Sequence, residues 1–151
     1  MRSYLIGQVE LPNVIHPFNL NMSGMELVLA LEGFFVEKVC KSPREIDPES
    51  YDVTAHGFGA TFTITLNRDW FVNNKIRPVE TLALENPQVI FGKGRSAEEV
   101  ARQWGVTVRL DDSISQSEKT PYRIYTSDEV KCLTLFEDDE GISSFHITRT
   151  S

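Results

Sequence analysis

The chain has 151 residues, 40% of them apolar and 25% charged, with 15 Lys and Arg against 22 Asp and Glu for a net charge of -7. One domain of that size buries roughly 70% of its unfolded surface, so folding requires neither a metal nor a disulfide framework. The acid excess argues against a nucleic-acid partner, and no apolar run approaches the roughly 18 residues of a membrane span.

The N-terminal MRSYLIGQVELPNV lacks the continuous apolar core of a signal peptide, so a soluble, cytoplasmic protein is expected. VELPNVIHPF has strand composition, but Pro12 and Pro17 make it irregular or edge-like. Asn21-Met22-Ser23 fits the glycosylation acceptor pattern, a match short enough to arise by accident. Ser23 then opens SGMELVLALEGF with Glu26 three residues on, the spacing of a capping box. Leu27, Ala30 and Leu31 recur at helical spacing, and Gly33 stands where a C-terminal cap is expected. That predicts a helix of about three turns.

KSPREIDPES reads as a loop. A strand is expected from Tyr51-Asp52-Val53 and another over ATFTITL, where Phe62, Ile64 and Leu66 alternate with threonines. After the polar turn Asn67 to Asp69, a last strand is expected to carry Phe71 and Ile76. Trp70 and Phe71 are adjacent, so a strand would turn one of them outward. Trp70 is therefore a candidate interface anchor, although both rings also suit a core.

LALENPQVIF is a second possible strand interrupted by Pro87. GKGRS, Gly92 to Ser96, sets two glycines and two cations before a helix start, where free amides can hold an anion. It lacks Walker spacing, and a flexible turn with an N-cap accounts for it more simply. SAEEVARQWG repeats the earlier pattern: Ser96 with Glu99, then Val100, Ala101 and Trp104, then Gly105. DDSISQSEKTP is a loop containing the acidic pair Asp111 and Asp112. Strands are expected from Tyr122-Arg123-Ile124, over KCLTLFE, and through Ile142 and Ile147. Between the last two lies Glu137-Asp138-Asp139-Glu140, read as a solvated hairpin turn or as a contact for a basic partner. The run lacks the alternating ligands of a calcium loop.

Cap, glycine, tyrosine and hairpin recur at an offset of 71 to 73 positions. The fold expected is α+β: two tandem helix-plus-three-stranded-meander units, about 11–77 and 82–149, within a single domain spanning 1–151. Their helices would pack on one face of an antiparallel sheet. One α+β domain with two helices and a meander sheet, its similar patterns arising by chance, stays open as the rival.

GKGRSAEEVARQWG followed by YRIYT and KCLTLFEDDEGISSFHI resembles a recurring bacterial helix-plus-meander unit. The unit is similar to those of the barrel-assembly small lipoproteins and of the β-lactamase inhibitor protein, which stacks two in tandem. It also resembles units of small immunity proteins encoded beside polymorphic toxins. The resemblance covers Gly92 to Thr148 and, more loosely, Asn21 to Ile76. It implies a protein that binds another protein. No functional residue carries over by position, and the lipobox cysteine and paired cysteines of the envelope and secreted members are missing.

His16, His56 and His146 share no metal-ligand spacing, and no GxSxG elbow is present. Cys40 and Cys132 belong to no CxxC pair and read as free cytosolic thiols. No catalytic residue, metal or cofactor is therefore expected. The expected function is that of a cytoplasmic immunity protein that occludes a cognate bacterial toxin, with no role for nucleic acid or membrane. Glu137, Asp138, Asp139, Glu140, Asp111, Asp112 and Trp70 are the candidate contacts. The alternatives are an assembly subunit of a phage or secretion system, or a small-ligand-binding protein.

Overall fold

The computed structural model describes residues 6–41, 50–67, 69, 75–111 and 122–149, with residues 38–41 and 50 described by backbone alone. Alternating apolar and polar residues dominate these segments, and strands follow from that period. Three short strands, β1 (Val9–Glu10), β2 (Val14–Ile15) and β3 (Phe18–Asn19), form a small antiparallel sheet. A large sheet takes β4 (Phe35–Lys41), β5 (Ser50–Gly57), β6 (Ala60–Asn67), β7 (Val79–Leu84), β8 (Arg109–Leu110), β9 (Arg123–Thr126), β10 (Leu133–Asp138) and β11 (Gly141–Thr148). Its order is β4-β5-β6-β7-β11-β10-β9-β8. The helices are short: α1 (Gly24–Leu31), α2 (Gln88–Phe91) and α3 (Ala97–Gln103).

The chain is thus mainly β, and the α+β expectation of two helix-plus-three-stranded units is overturned. Three local features account for the difference. First, LALENPQVIF, expected as a strand interrupted by Pro87, gives only its LAL end to a strand, and that strand is central: β7 pairs with β6 on one side and β11 on the other. Pro87 lies beyond it, at the N-cap of α2, and leaves its ladder intact. Second, FVEKVCK continues straight from α1 into edge strand β4, because β-branched and aromatic residues suit a pleated surface. Third, the expected strand through Phe71 and Ile76 is not formed as read. Ile76 sits in the turn before β7, and Phe71 lies outside the described residues.

The core follows from the alternation in ATFTITLN. Ala60, Phe62, Ile64 and Leu66 point to one face and are buried. Leu82, Leu84, Leu133, Leu135, Phe145 and Ile147 extend that face across β7, β10 and β11, with each side chain fully buried. Ile15, Phe18 and Leu20 from the small sheet, Leu27 from α1, and Ala97, Val100 and Ala101 from α3 cover it in one cluster. The rings interlock: Phe62 lies edge-on to Phe18 at 5.1 Å and to Phe34 at 5.7 Å, while Trp104 meets Phe145 at 4.9 Å. Arg149 ties the layers together, donating to the Val79 carbonyl at 2.7 Å and to the Leu20 carbonyl.

The two helix starts form as their spacing predicts. Ser23 and Glu26 close a reciprocal capping box: the Ser23 hydroxyl accepts from Glu26 N–H at 3.2 Å and the Glu26 carboxylate accepts from Ser23 N–H at 3.0 Å. Those bonds hold the Glu26 carboxyl below the usual range. At α3 only one limb is made, Glu99 N–H to Ser96 Oγ at 3.1 Å, because the Glu99 carboxylate turns to Arg95. Gly105 ends α3 at φ 73°, the left-handed conformation expected of a cap. Gly33 does not adopt it; Phe58 packs over it instead, 3.3 Å from where a Cβ would lie.

Candidate functional site

All the described covering elements lie on the Phe62 and Phe145 face. The opposite face of the large sheet carries the other half of each alternating pattern; none of those elements packs on it, yet Thr65, Thr81 and Ile124 there are buried. One cross-strand row runs Thr54, Thr63, Ala83, His146, Thr134, Thr126, Arg109. Its neighbour runs Asp52, Thr65, Thr81, Thr148, knit by a Thr65 Oγ1 hydrogen bond to Asp52 at 2.8 Å. A third row holds Ser144, Phe136 and Ile124, and Glu85 lies level with Ser144, one step past the Leu84–Phe145 pair.

Around that third row the face dips into an open hollow of about 520 Å³, lined by Glu85, Tyr122, Ile124, Phe136, Ser144 and His146 among others. Phe136 is its central ring, 5.5 Å from the His146 ring and 6.5 Å from Tyr122, which meets it edge-on. Glu85 keeps an exposed outer edge, yet its carboxyl lies against the sheet. Lost hydration raises its pKa, the Thr63 hydroxyl opposes by hydrogen bonding, and Asp52 adds like-charge repulsion. Among the described residues no cation pairs with it.

A second hollow of about 410 Å³ lies between GKGRS and the β10–β11 hairpin, lined by Gln88, Lys93, Asp138, Glu140, Ile142 and Ser143. Ser143 lines both hollows. The hairpin is seated on the loop: Ile142 N–H donates to the Arg95 carbonyl at 2.8 Å. A Cβ on Gly141, at φ 118°, would stand 2.6 Å from that oxygen.

The acidic run is split by the strand pleat. Glu137 points inward and is 6% exposed. Its carboxylate accepts from Ala97 N–H at 2.8 Å, from Arg123 Nε at 2.9 Å and from the Tyr125 hydroxyl at 3.4 Å. It therefore caps α3 from across the core and is no surface contact. Burial and the Glu137 charge raise the Tyr125 pKa, and the Glu137 bond raises that of Arg123. Asp138 accepts from Glu140 N–H at 2.8 Å and shapes the turn. Asp139 and Glu140 are exposed, with Asp139 3.5 Å from Arg123. Asp111 is half-buried and donates its N–H to the Ile124 carbonyl at 2.7 Å. Asp112 and Trp70 lie outside the described residues.

The histidines are apart. His16 bonds Glu10 at 2.7 Å, His56 sits between Thr61 at 2.9 Å and Glu37, and His146 faces the hollow. Among the described residues no three His, Cys, Asp or Glu side chains converge as a metal site. Cys132 is a free thiol, pushed up in pKa by burial and donating to the Pro12 carbonyl at 3.6 Å. A raised thiol is a poor nucleophile at neutral pH. Among the described residues no helix is long and apolar enough to cross a membrane.

Glu85, Ile124 and Phe136 were not singled out by motif, yet the signal was present. In LALE, Ala83 and Glu85 share the face opposite Leu82 and Leu84, so a carboxylate on the exposed side was legible once β7 was taken as a strand. No protein-family model matches the sequence, and comparison with curated proteins and with solved structures finds no match.

Proposed function

We propose that this protein binds another protein through the open face of its large sheet, and that in doing so it neutralises a cognate bacterial toxin in the cytoplasm by occlusion. The observation that carries the reading is the threonine-rich face on which no described helix or small-sheet strand packs, with its aromatic-floored hollow. A rigid sheet supplies such a surface at little entropic cost, since its side chains are held before binding. Short hydroxyl side chains offer donors and acceptors to a partner, and the rings of Phe136 and Tyr122 offer anchoring area. The net charge of -7 favours encounter with a cationic partner. The toxin-neutralising role rests on the resemblance of Gly92 to Thr148 to immunity-protein units.

The test is co-expression with toxins encoded beside the gene. Rescue of growth, with the two proteins copurifying, is the expected result. Binding to none of the neighbouring products would defeat the reading. A second reading is favoured by one feature: a volume of about 520 Å³ falls in the range of small-molecule sites. On that reading a metabolite would occupy the hollow and no protein would bind the face.

A further inference from the structure

Helix α1 turns an apolar face to solvent. At about 3.6 residues per turn, Met25, Val28, Leu29 and Glu32 form one ridge on the side opposite Leu27, the residue that anchors the helix in the core. The ridge continues onto its neighbours. Phe58, in the turn between β5 and β6, packs over Gly33 just beyond the helix and stands edge-on to Phe34 at 5.6 Å. Val36 pairs with Ala55, itself opposite Phe62, so it lies on the face that α1 covers. Phe35 projects from the other face of the same strand. Met25, Val28, Leu29, Phe35, Val36 and Phe58 are 39% to 70% exposed, and no other part of the described surface gathers as many exposed large apolar side chains. β4 is also the last strand of its sheet, and among the described residues no strand pairs with its outer edge.

We propose that a second copy of this chain covers this surface, in a two-fold dimer whose α1 helices lie antiparallel. The proposal is independent of the toxin-neutralising reading and leaves the open sheet face free. Area is its first support. The six side chains expose about 600 Å² per chain, near the roughly 800 Å² that a standard interface takes from each partner. Charge is its second. Glu32 caps the C-terminal end of α1, where the helix dipole is negative and no basic residue in the last turn offsets it. Arg77 lies near the opposite end, close enough to Glu26 to help lower its pKa. Antiparallel pairing brings Glu32 of each chain to the Arg77 end of the other, so the ridge is complementary to itself. Backbone conformation is its third support. Phe58 holds φ 55°, which hairpin turns ordinarily assign to Asn or Gly, with its ring largely in water. A second copy that buries the ring accounts for an aromatic residue kept there.

The experiment is sedimentation velocity on the full chain over a range of concentrations, with reductant present to exclude disulfide-linked species. An interface of this size predicts a reversible dimer with Kd on the order of 10 µM. Leu29→Gln and Phe58→Asn should each weaken it about tenfold, the second while keeping a residue suited to the turn. Glu32→Lys should weaken it several-fold and yet melt no earlier than the parent, because a cation suits the C-terminal end of its own helix. If Phe58→Asn lowers the melting temperature, Leu29→Gln decides, since it alters an exposed helix position. A chain that stays monomeric at several hundred micromolar would overturn the proposal. So would a dimer indifferent to both Leu29→Gln and Glu32→Lys. A monomer whose α1 resonances shift on adding a toxin would give the face to another protein and overturn it equally.

Discussion

Replacing Glu137 with alanine removes the carboxylate that joins the C-terminal hairpin to the start of α3. Three groups lose a partner: Ala97 N–H, Arg123 and the Tyr125 hydroxyl. Ala97 is fully buried, so its orphaned amide has no water to turn to and costs about 1–2 kcal/mol. The Arg123 side chain is 43% exposed and can rehydrate, which holds the loss of its ion pair to about 1 kcal/mol. The expected total is about 2–3 kcal/mol, well short of the penalty for breaking a fully buried pair. For a domain of this size that lowers Tm by about 5–10 °C. Thermal and urea unfolding followed by circular dichroism measure it, with Asp139→Ala and Glu140→Ala as surface controls expected within about 0.5 kcal/mol of the parent. A Glu137→Ala protein as stable as the parent, or controls that cost as much, would refute the division of the acidic run into a buried cap and an exposed turn.

Other outcomes follow from the same geometry. Phe62→Ala leaves a cavity beneath two aromatic neighbours and should cost about 3–5 kcal/mol in the same unfolding assay. Gly141→Ala should cost about 1–3 kcal/mol, because the new Cβ meets the Arg95 carbonyl at an unfavourable φ; a neutral result would mean the hairpin is not seated on that loop. Glu85 has a raised folded-state pKa, so its own contribution to stability falls as pH rises through the window above 4.5, opposite in sign to that of Glu26. Glu85→Gln should remove that contribution, making the change of Tm with pH more positive than the parent's; an unchanged slope would refute it. In a Cys40→Ser background, Cys132 should react with iodoacetamide more slowly folded than unfolded at pH 8, since burial raises its pKa and limits access.

Local signals were legible in the sequence where a few neighbouring residues decide the outcome. Ser23 with Glu26 predicts its capping box, and the alternation of Phe62, Ile64 and Leu66 predicts the buried face of β6. What went unread depends on pairing between distant segments. VETLAL looks the same as an edge or a central strand; only the partnership of β7 with both β6 and β11 makes it central. The caps mark where the helices start but not how far they run: α1 has 8 residues and α3 has 7, short of the three turns expected. Glu137 is a similar case. Its charge suggested solvent, and its inward phase in LTLFED, in step with Leu133 and Leu135, was the stronger signal. Glu85 and Phe136 meet Ser144 from opposite sides only because three strands align, a relation invisible along the chain.

The central claim is that the open sheet face is the surface a partner protein covers. Its most direct test is an NMR footprint of the full chain bound to a toxin encoded beside its gene. Shifts are predicted on Ile124, Phe136, Ser144 and His146, running outward along the threonine rows, with α1 and the small sheet unperturbed. A footprint on α1 and the small sheet that leaves the open face untouched would contradict the claim.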